Sequence, residues 1–162
     1  MSYGRSDPVQ AQPMGMQQMQ VPPQGDRNPN NMPFDGNGER AWSNGLCSCF
    51  GSCGTCLEAA FCPCITYGRN KARLDYLRAQ GKPDPSGGEC CTGDCMLHCV
   101  LTVFLGLGCL VQIGNRGRTR ERYRIRGGCC GDCMASWCCQ ACALTQESRE
   151  IEGEEDSYSR RY

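Results

Sequence analysis

Thiols dominate the chemistry open to this chain: seventeen of its 162 residues are cysteine, all between Cys47 and Cys142. Two stretches echo each other. Cys53-Gly54-Thr55-Cys56, five residues, then Cys62-Pro63-Cys64 is matched by Cys130-Gly131-Asp132-Cys133, five residues, then Cys139 and Cys142. A third stretch, Cys90-Cys91-Thr92-Gly93-Asp94-Cys95-Met96, echoes Cys129-Cys130-Gly131-Asp132-Cys133-Met134. A Cys-x-x-Cys turn brings two sulfurs to one side, where two thiolates can chelate one soft ion. Zinc ribbons join two such pairs across a longer connector than five residues, so the spacing marks a thiol cluster without naming its metal. The candidate ligands are Cys53, Cys56, Cys62, Cys64, Cys130, Cys133, Cys139 and Cys142, with zinc or another soft divalent metal as the expected ion. Cys91, Cys95 and Cys99 recur every four residues and would line one helix face beside the only histidine, His98. Cysteines so spaced are more often packing residues, and His98, without a spaced partner, reads as structural. Glu58, among Leu57, Ala59, Ala60 and Phe61, would be costly to bury unpaired and is a candidate carboxylate near Cys62 and Cys64.

Two other uses of the thiols stay open. Cysteines beside an apolar run and a basic patch suit S-acylation. Paired thiols can exchange disulfides, although no Cys-x-x-Cys sits on a recognisable strand-to-helix turn. An enzyme is not expected: one histidine limits any Ser/His/Asp set, and neither a phosphate-binding glycine loop nor an HExxH helix is present. The polar start, Met1 to Asp7, has no apolar core or cleavage site, so no secretory route is expected. A reducing compartment then favours metal coordination, redox chemistry or acylation over a disulfide framework. Seventeen basic and seventeen acidic residues cancel, which argues against nucleic acid as a partner.

The elements that must position these thiols read as mainly α: a small Cys-rich domain of short helices and Cys/Gly-rich loops with one membrane-length apolar helix. Residues 1–40 hold six of nine prolines, five of seven methionines and six glutamines, too little apolar surface to offset their ordering entropy. They are expected to be a disordered tail, with Cu(I) binding by its methionines as the alternative to a solubilising role. The domain spans 41–152, and 153–162 form a charged C-terminal tail. Ala59 to Gln80 reads as helix, with Pro63 suited to a first turn and Gly81 with Pro83 as a stop. Gln140 to Glu152 reads as a terminal helix.

Met96 to Ile113 is eighteen residues without a formal charge. As one helix it would span ~27 Å, just short of a ~30 Å hydrocarbon core. Gly106 and Gly108 lean toward lipid, where glycine is common; a buried helix of a soluble domain is the alternative. Arg116, Arg118, Arg120, Arg122, Arg124 and Arg126 follow at every second position, and Arg69, Lys71, Arg73, Arg78 and Lys82 lie upstream. Positive flanks on both sides suit a re-entrant or interfacial segment whose arginines meet anionic lipid head groups; a solvated charged face reads equally well. On a helix period two scatters the arginines, and on a strand they share a face.

Three ordered strings carry a resemblance: Cys62-Pro63-Cys64-Ile65-Thr66-Tyr67-Gly68-Arg69, then Arg118 to Gly127, then Cys139-Gln140-Ala141-Cys142 through Glu147, Arg149, Glu150 and Ile151. From about Trp42 to Glu152 the chain resembles the placenta-specific 8 Cys-rich family, with cornifelin, plant cadmium resistance proteins and cell number regulators among its relatives. The resemblance implies a module associated with membranes, often the plasma membrane, with thiols in the cytosol. It implies tolerance or transport of soft divalent metals such as cadmium and zinc, or control of cell number. Its motifs fall on Cys62, Pro63 and Cys64 and on Cys139, Cys142, Gln146, Glu147, Arg149 and Glu150. Two positions depart from the family pattern: Cys56 stands alone where adjacent cysteines are usual, and Thr145 replaces a cysteine. The leading expectation is a membrane-associated protein that binds or helps transport soft metals. The alternative is a membrane-anchored regulatory scaffold with acylated or structural cysteines. Lipids are the expected partners, and a homo-oligomer is open.

Overall fold

The computed structural model describes residues 25–160, which form a short 3-10 segment, Leu46–Ser52, and the helices α1 (Cys53–Phe61), α2 (Pro63–Gln80), α3 (Gly93–Leu105), α4 (Gly108–Tyr123), α5 (Cys129–Cys138) and α6 (Gln140–Ser159). The helices come as three bent pairs. In each, a short Cys-rich apolar helix runs through an elbow into a longer helix rich in charge.

Each elbow has a local cause. At the first, Pro63 occupies the opening turn of α2, where its missing N–H is harmless, and its ring ends α1. The flanking segments, Leu46–Phe61 and Pro63–Gln80, meet at 116°. At the second, Gly106 takes the left-handed conformation at φ 64°. Its N–H bonds the Thr102 carbonyl at 3.2 Å and the Leu107 N–H bonds that of Leu101 at 2.8 Å, the paired bonds that close a helix. At the third, Cys139 leaves helical geometry with φ −147° and ψ 80°, and it is disulfide-bonded to Cys142.

The second elbow corrects the expectation of one membrane-length helix. The uncharged run 96–113 is divided between α3 and α4, because Gly106 adopts a positive φ that favours glycine. Gly108 also serves packing: a Cβ there would collide with the Thr102 hydroxyl. Among the described residues no single helix is long and apolar enough to cross a membrane; the bent pair Leu46–Phe61 with Pro63–Gln80 meets the length and composition of a broken span.

The apolar interior is small. Leu74, Leu77, Tyr123, Ile125, Ile151 and Tyr158 form one cluster with Trp42 packed on it, and Ala59, Tyr67 and Leu144 form another. Much of the remaining interior is ionic, and α6 carries its acidic half. Glu150 takes Arg40 at 3.0 Å, Glu154 takes Arg122 at 2.6 Å and the Tyr123 hydroxyl at 2.9 Å, and Glu155 takes Arg73. The apolar helices are tied in the same way. Glu58 of α1 pairs with Arg69 at 2.9 Å, Asp94 of α3 with Lys71 at 2.8 Å, and Asp132 of α5 with Arg116 at 3.2 Å and Arg120 at 2.7 Å.

The described parts of both expected tails make contacts with the helices. Residues 1–24, with most of the tail methionines, lie outside the described residues. Residues 25–40 are part of the domain: Arg40 bridges Phe34 and Ile125, and its buried guanidinium meets Glu150. The charged segment after Glu152 continues α6 as far as Ser159, because Glu154 and Tyr158 are buried there.

Candidate functional site

The alternating arginines follow the helix reading as far as Tyr123, the end of α4. Gln112, Asn115, Arg116, Thr119 and Tyr123 face inward at helical spacing. Arg116 is buried between Asp132 and Glu147, with its guanidinium 4.2 Å from the centre of the Trp42 ring. Arg120 is tied to Asp132 and to the Gly127 carbonyl, and Arg122 is held by Glu154. These three are structural cations, which corrects their assignment to lipid head groups: a guanidinium paired in the interior is not free to meet a membrane. Arg118, Arg124 and Arg126 remain exposed.

Glu147 is the extreme case within this network. It is fully buried, accepts from Asn115 Nδ2 at 3.0 Å and lies 3.6 Å from Arg116. Burial pushes its carboxyl up to about 7 even though Arg116 and Asn115 pull the other way. His98 is also fully buried, stacked on Tyr67 at 4.6 Å between ring centres. Its ring nitrogens lie 3.3 Å from Thr102 Oγ1 and 3.1 Å from Gln140 Nε2. Burial lowers its pKa to about 4, which keeps the imidazole neutral at physiological pH.

Apart from half-buried Cys109 of α4, the thiols fall into two groups between elements and an exposed set. At the contact of the 3-10 segment, α1 and α6, the Cys49 sulfur is 3.4 Å from that of Cys142. Cys56 is a neighbour of Cys49, and its thiol is pushed up by burial first and by Cys49 second. Between α2 and α3, burial pushes Cys64 up to about 11, with Cys95 and then Cys99 adding to the effect. Cys95 and Cys99 come from the helix face read in the sequence, and Cys64 from the CPC motif. Cys53, Cys62, Cys130 and Cys133 are exposed, as are Cys47, Cys90, Cys91, Cys129 and Cys138.

The two echoing stretches therefore do not close into one cage. Cys139 and Cys142 are bonded to each other. Among the described residues, no group of three or more His, Cys, Asp or Glu side chains is disposed to hold a metal ion. The disposition of the eight thiols does not fit a resident tetrahedral metal. Cys49 was not singled out by the sequence because it lies outside the echoing stretches; only the packing of the 3-10 segment on α6 brings it to Cys142.

Of the exposed thiols, Cys47, Cys53, Cys129, Cys130, Cys133 and Cys138 share the 3-10 segment, α1 and α5 with exposed oily side chains. Phe50, Leu57 and Phe61 stand out from the 3-10 segment and α1, and Val103, Phe104 and Leu105 from α3. Met134 and Trp137 do so from α5. Phe61 is 82% exposed, Phe104 77% and Trp137 74%. No large apolar residue of α2 or α6 is exposed in this way.

The sequence profile described as the PLAC8 family matches residues 42–150, from the cation–π tryptophan to the buried Glu150. The chain belongs to the PLAC8 family. It is 34% identical over 113 residues to Protein PLANT CADMIUM RESISTANCE 2 of Arabidopsis thaliana, covering 70% of this chain and 68% of that protein. To Protein PLANT CADMIUM RESISTANCE 1 of the same plant it is 33% identical, covering 68% of this chain and 66% of the relative. To Cell number regulator 9 of Zea mays it is 34% identical, over 68% of this chain and 57% of the relative. The match thus spans between 57% and 68% of these relatives' length. No solved structure matches the chain.

Proposed function

We propose that this PLAC8 protein works at a membrane surface, where its thiols take soft divalent ions of the cadmium and zinc class as cargo. The observation that carries this reading is the division of the molecule: large apolar side chains stand exposed on the 3-10 segment, α1, α3 and α5, with exposed cysteines beside them on all but α3, while charge is drawn into α2, α4 and α6. Aliphatic and aromatic side chains favour the acyl boundary of a bilayer, and the exposed Arg124 and Arg126 are the cations of this run left to meet anionic head groups, with Arg118 exposed but paired to Asp75 at 3.5 Å. Thiolates suit soft ions. The names of the cadmium resistance relatives agree with such cargo. Because no closed cage is present, a passing ion would be taken up by one or two exposed thiols at a time, Cys62 among them.

A vesicle flotation assay and metal analysis test the two halves. Wild-type protein should float with anionic vesicles, and Phe104→Asp combined with Trp137→Asp should sink. Protein prepared in reducing, metal-free buffer should take up cadmium, and Cys62→Ser with Cys64→Ser should lower the uptake. Absence of flotation, or of cadmium uptake, refutes the corresponding half. A second reading, an acylated regulatory scaffold, is favoured by cysteines adjoining exposed apolar residues, as at Phe61-Cys62 and Trp137-Cys138. Membrane release by hydroxylamine with unchanged metal uptake would select it.

A further inference from the structure

Beside the third elbow a disulfide and a free thiol are in contact. Cys139 and Cys142, with Cα atoms 5.3 Å apart, are bonded across the start of α6. A bond between residues three apart closes a very short loop, the case in which a cross-link constrains the unfolded chain least. Both partners are only partly buried. Against Cys142 rests the Cys49 sulfur, 3.4 Å away, on a side chain just 4% exposed. Cys56 then neighbours Cys49. A free thiol in contact with one sulfur of a disulfide, backed by a second free thiol, is the arrangement that exchange requires.

We propose that Cys49, Cys56, Cys139 and Cys142 form an internal thiol–disulfide exchange site that moves one disulfide between the α6 elbow and α1. In the first step Cys49 gives its proton to water and its thiolate attacks the Cys142 sulfur. The Cys49–Cys142 bond forms, the Cys139–Cys142 bond breaks, and the electron pair leaves on Cys139, which takes up a proton. Cys139 caps α6, whose unpaired amide N–H groups and positive dipole end stabilise a departing thiolate. In the second step the Cys56 thiolate attacks Cys49: the Cys49–Cys56 bond forms, the Cys49–Cys142 bond breaks, and Cys142 leaves as thiolate to be protonated. Two thiols and one disulfide are present before and after, so no external oxidant or reductant enters. The intermediate joins positions 93 residues apart, pinning the 3-10 segment to α6.

The test uses the full chain, purified without reductant and held in metal-free, lipid-free buffer, so that its outcome is independent of membrane or metal binding. After incubation at about pH 8, where thiol exchange is fast, samples are acid-quenched, alkylated and mapped by non-reducing mass spectrometry. Wild type should give Cys139–Cys142, Cys49–Cys142 and Cys49–Cys56 pairs. Cys56→Ser should hold several-fold more Cys49–Cys142 than wild type, and Cys49→Ser should hold only Cys139–Cys142. Cys130→Ser, on an exposed position of α5, should leave the pattern unchanged. Circular dichroism checks that each variant folds, and the wild-type map stands without them. Finding Cys139–Cys142 alone in wild type, or no increase of Cys49–Cys142 in Cys56→Ser, overturns the proposal.

Discussion

Replacing Glu147 by Gln should make this protein more stable at alkaline pH, although it removes a charge 3.6 Å from an arginine. The carboxyl rises from an ordinary 4.5 to about 7, which corresponds to ~3 kcal/mol of preference for the neutral form. A folded-state pKa above the unfolded one means that the native protein binds this proton more tightly. The stabilisation is complete below pH 4.5 and is lost as pH rises through about 7. Glutamine keeps the shape and the neutral state at every pH, while Arg116 retains Asp132 at 3.2 Å. The variant should therefore differ little from wild type near pH 5 and exceed it by up to ~3 kcal/mol near pH 8. Urea unfolding across that range, run on both proteins, gives the difference directly. Taking the difference matters, because His98 tilts the wild-type curve the other way. Parallel curves, or a variant weaker than wild type near pH 8, would refute the electrostatic account of this site.

Three further outcomes follow from the same structure. His98, lowered to about 4, contributes stability that is present above about pH 6.5 and lost as pH falls toward 4; His98→Gln should flatten that acid limb in the same unfolding series. Arg40→Ala leaves the buried Glu150 without its cation, held only by the Ser43 N–H and hydroxyl, and should cost ~3 kcal/mol, whereas exposed Arg126→Ala should cost under ~0.5 kcal/mol; thermal denaturation separates them. Gly106→Ala forces a side chain into φ 64° and should cost ~1 kcal/mol, read as a lower melting temperature.

Local signals made part of the fold legible. Pro63 and Gly81 bound α2 as their chemistry demands, and α6 begins at Gln140 as read. Gly106 was visible but ambiguous, since a glycine in an apolar run is both common in lipid and able to end a helix; its positive φ decides between the two. The arginines misled because their partners are remote. Arg116 reaches Glu147 and Arg122 reaches Glu154, each about thirty residues on, and period two hides the inward stripe at Gln112, Asn115, Arg116 and Thr119. The i, i+3, i+7 spacing of Glu147, Glu150 and Glu154 was the available clue, for it puts three acids on one side of a helix. The thiol repeats were plain in the sequence, but the contact of Cys49 with Cys142 depends on packing between segments 93 residues apart.

The acidic face of α6 also bears on the order of events during synthesis. Arg40, Arg73 and Arg122 all emerge from the ribosome before the glutamates that neutralise them. A nascent chain ending at α5 carries those guanidiniums with no acid to follow them inside, so its interior cannot close. Folding of the earlier helices therefore waits for translation of the last one, and until then the oily faces of α1, α3 and α5 are what the growing chain offers to its surroundings.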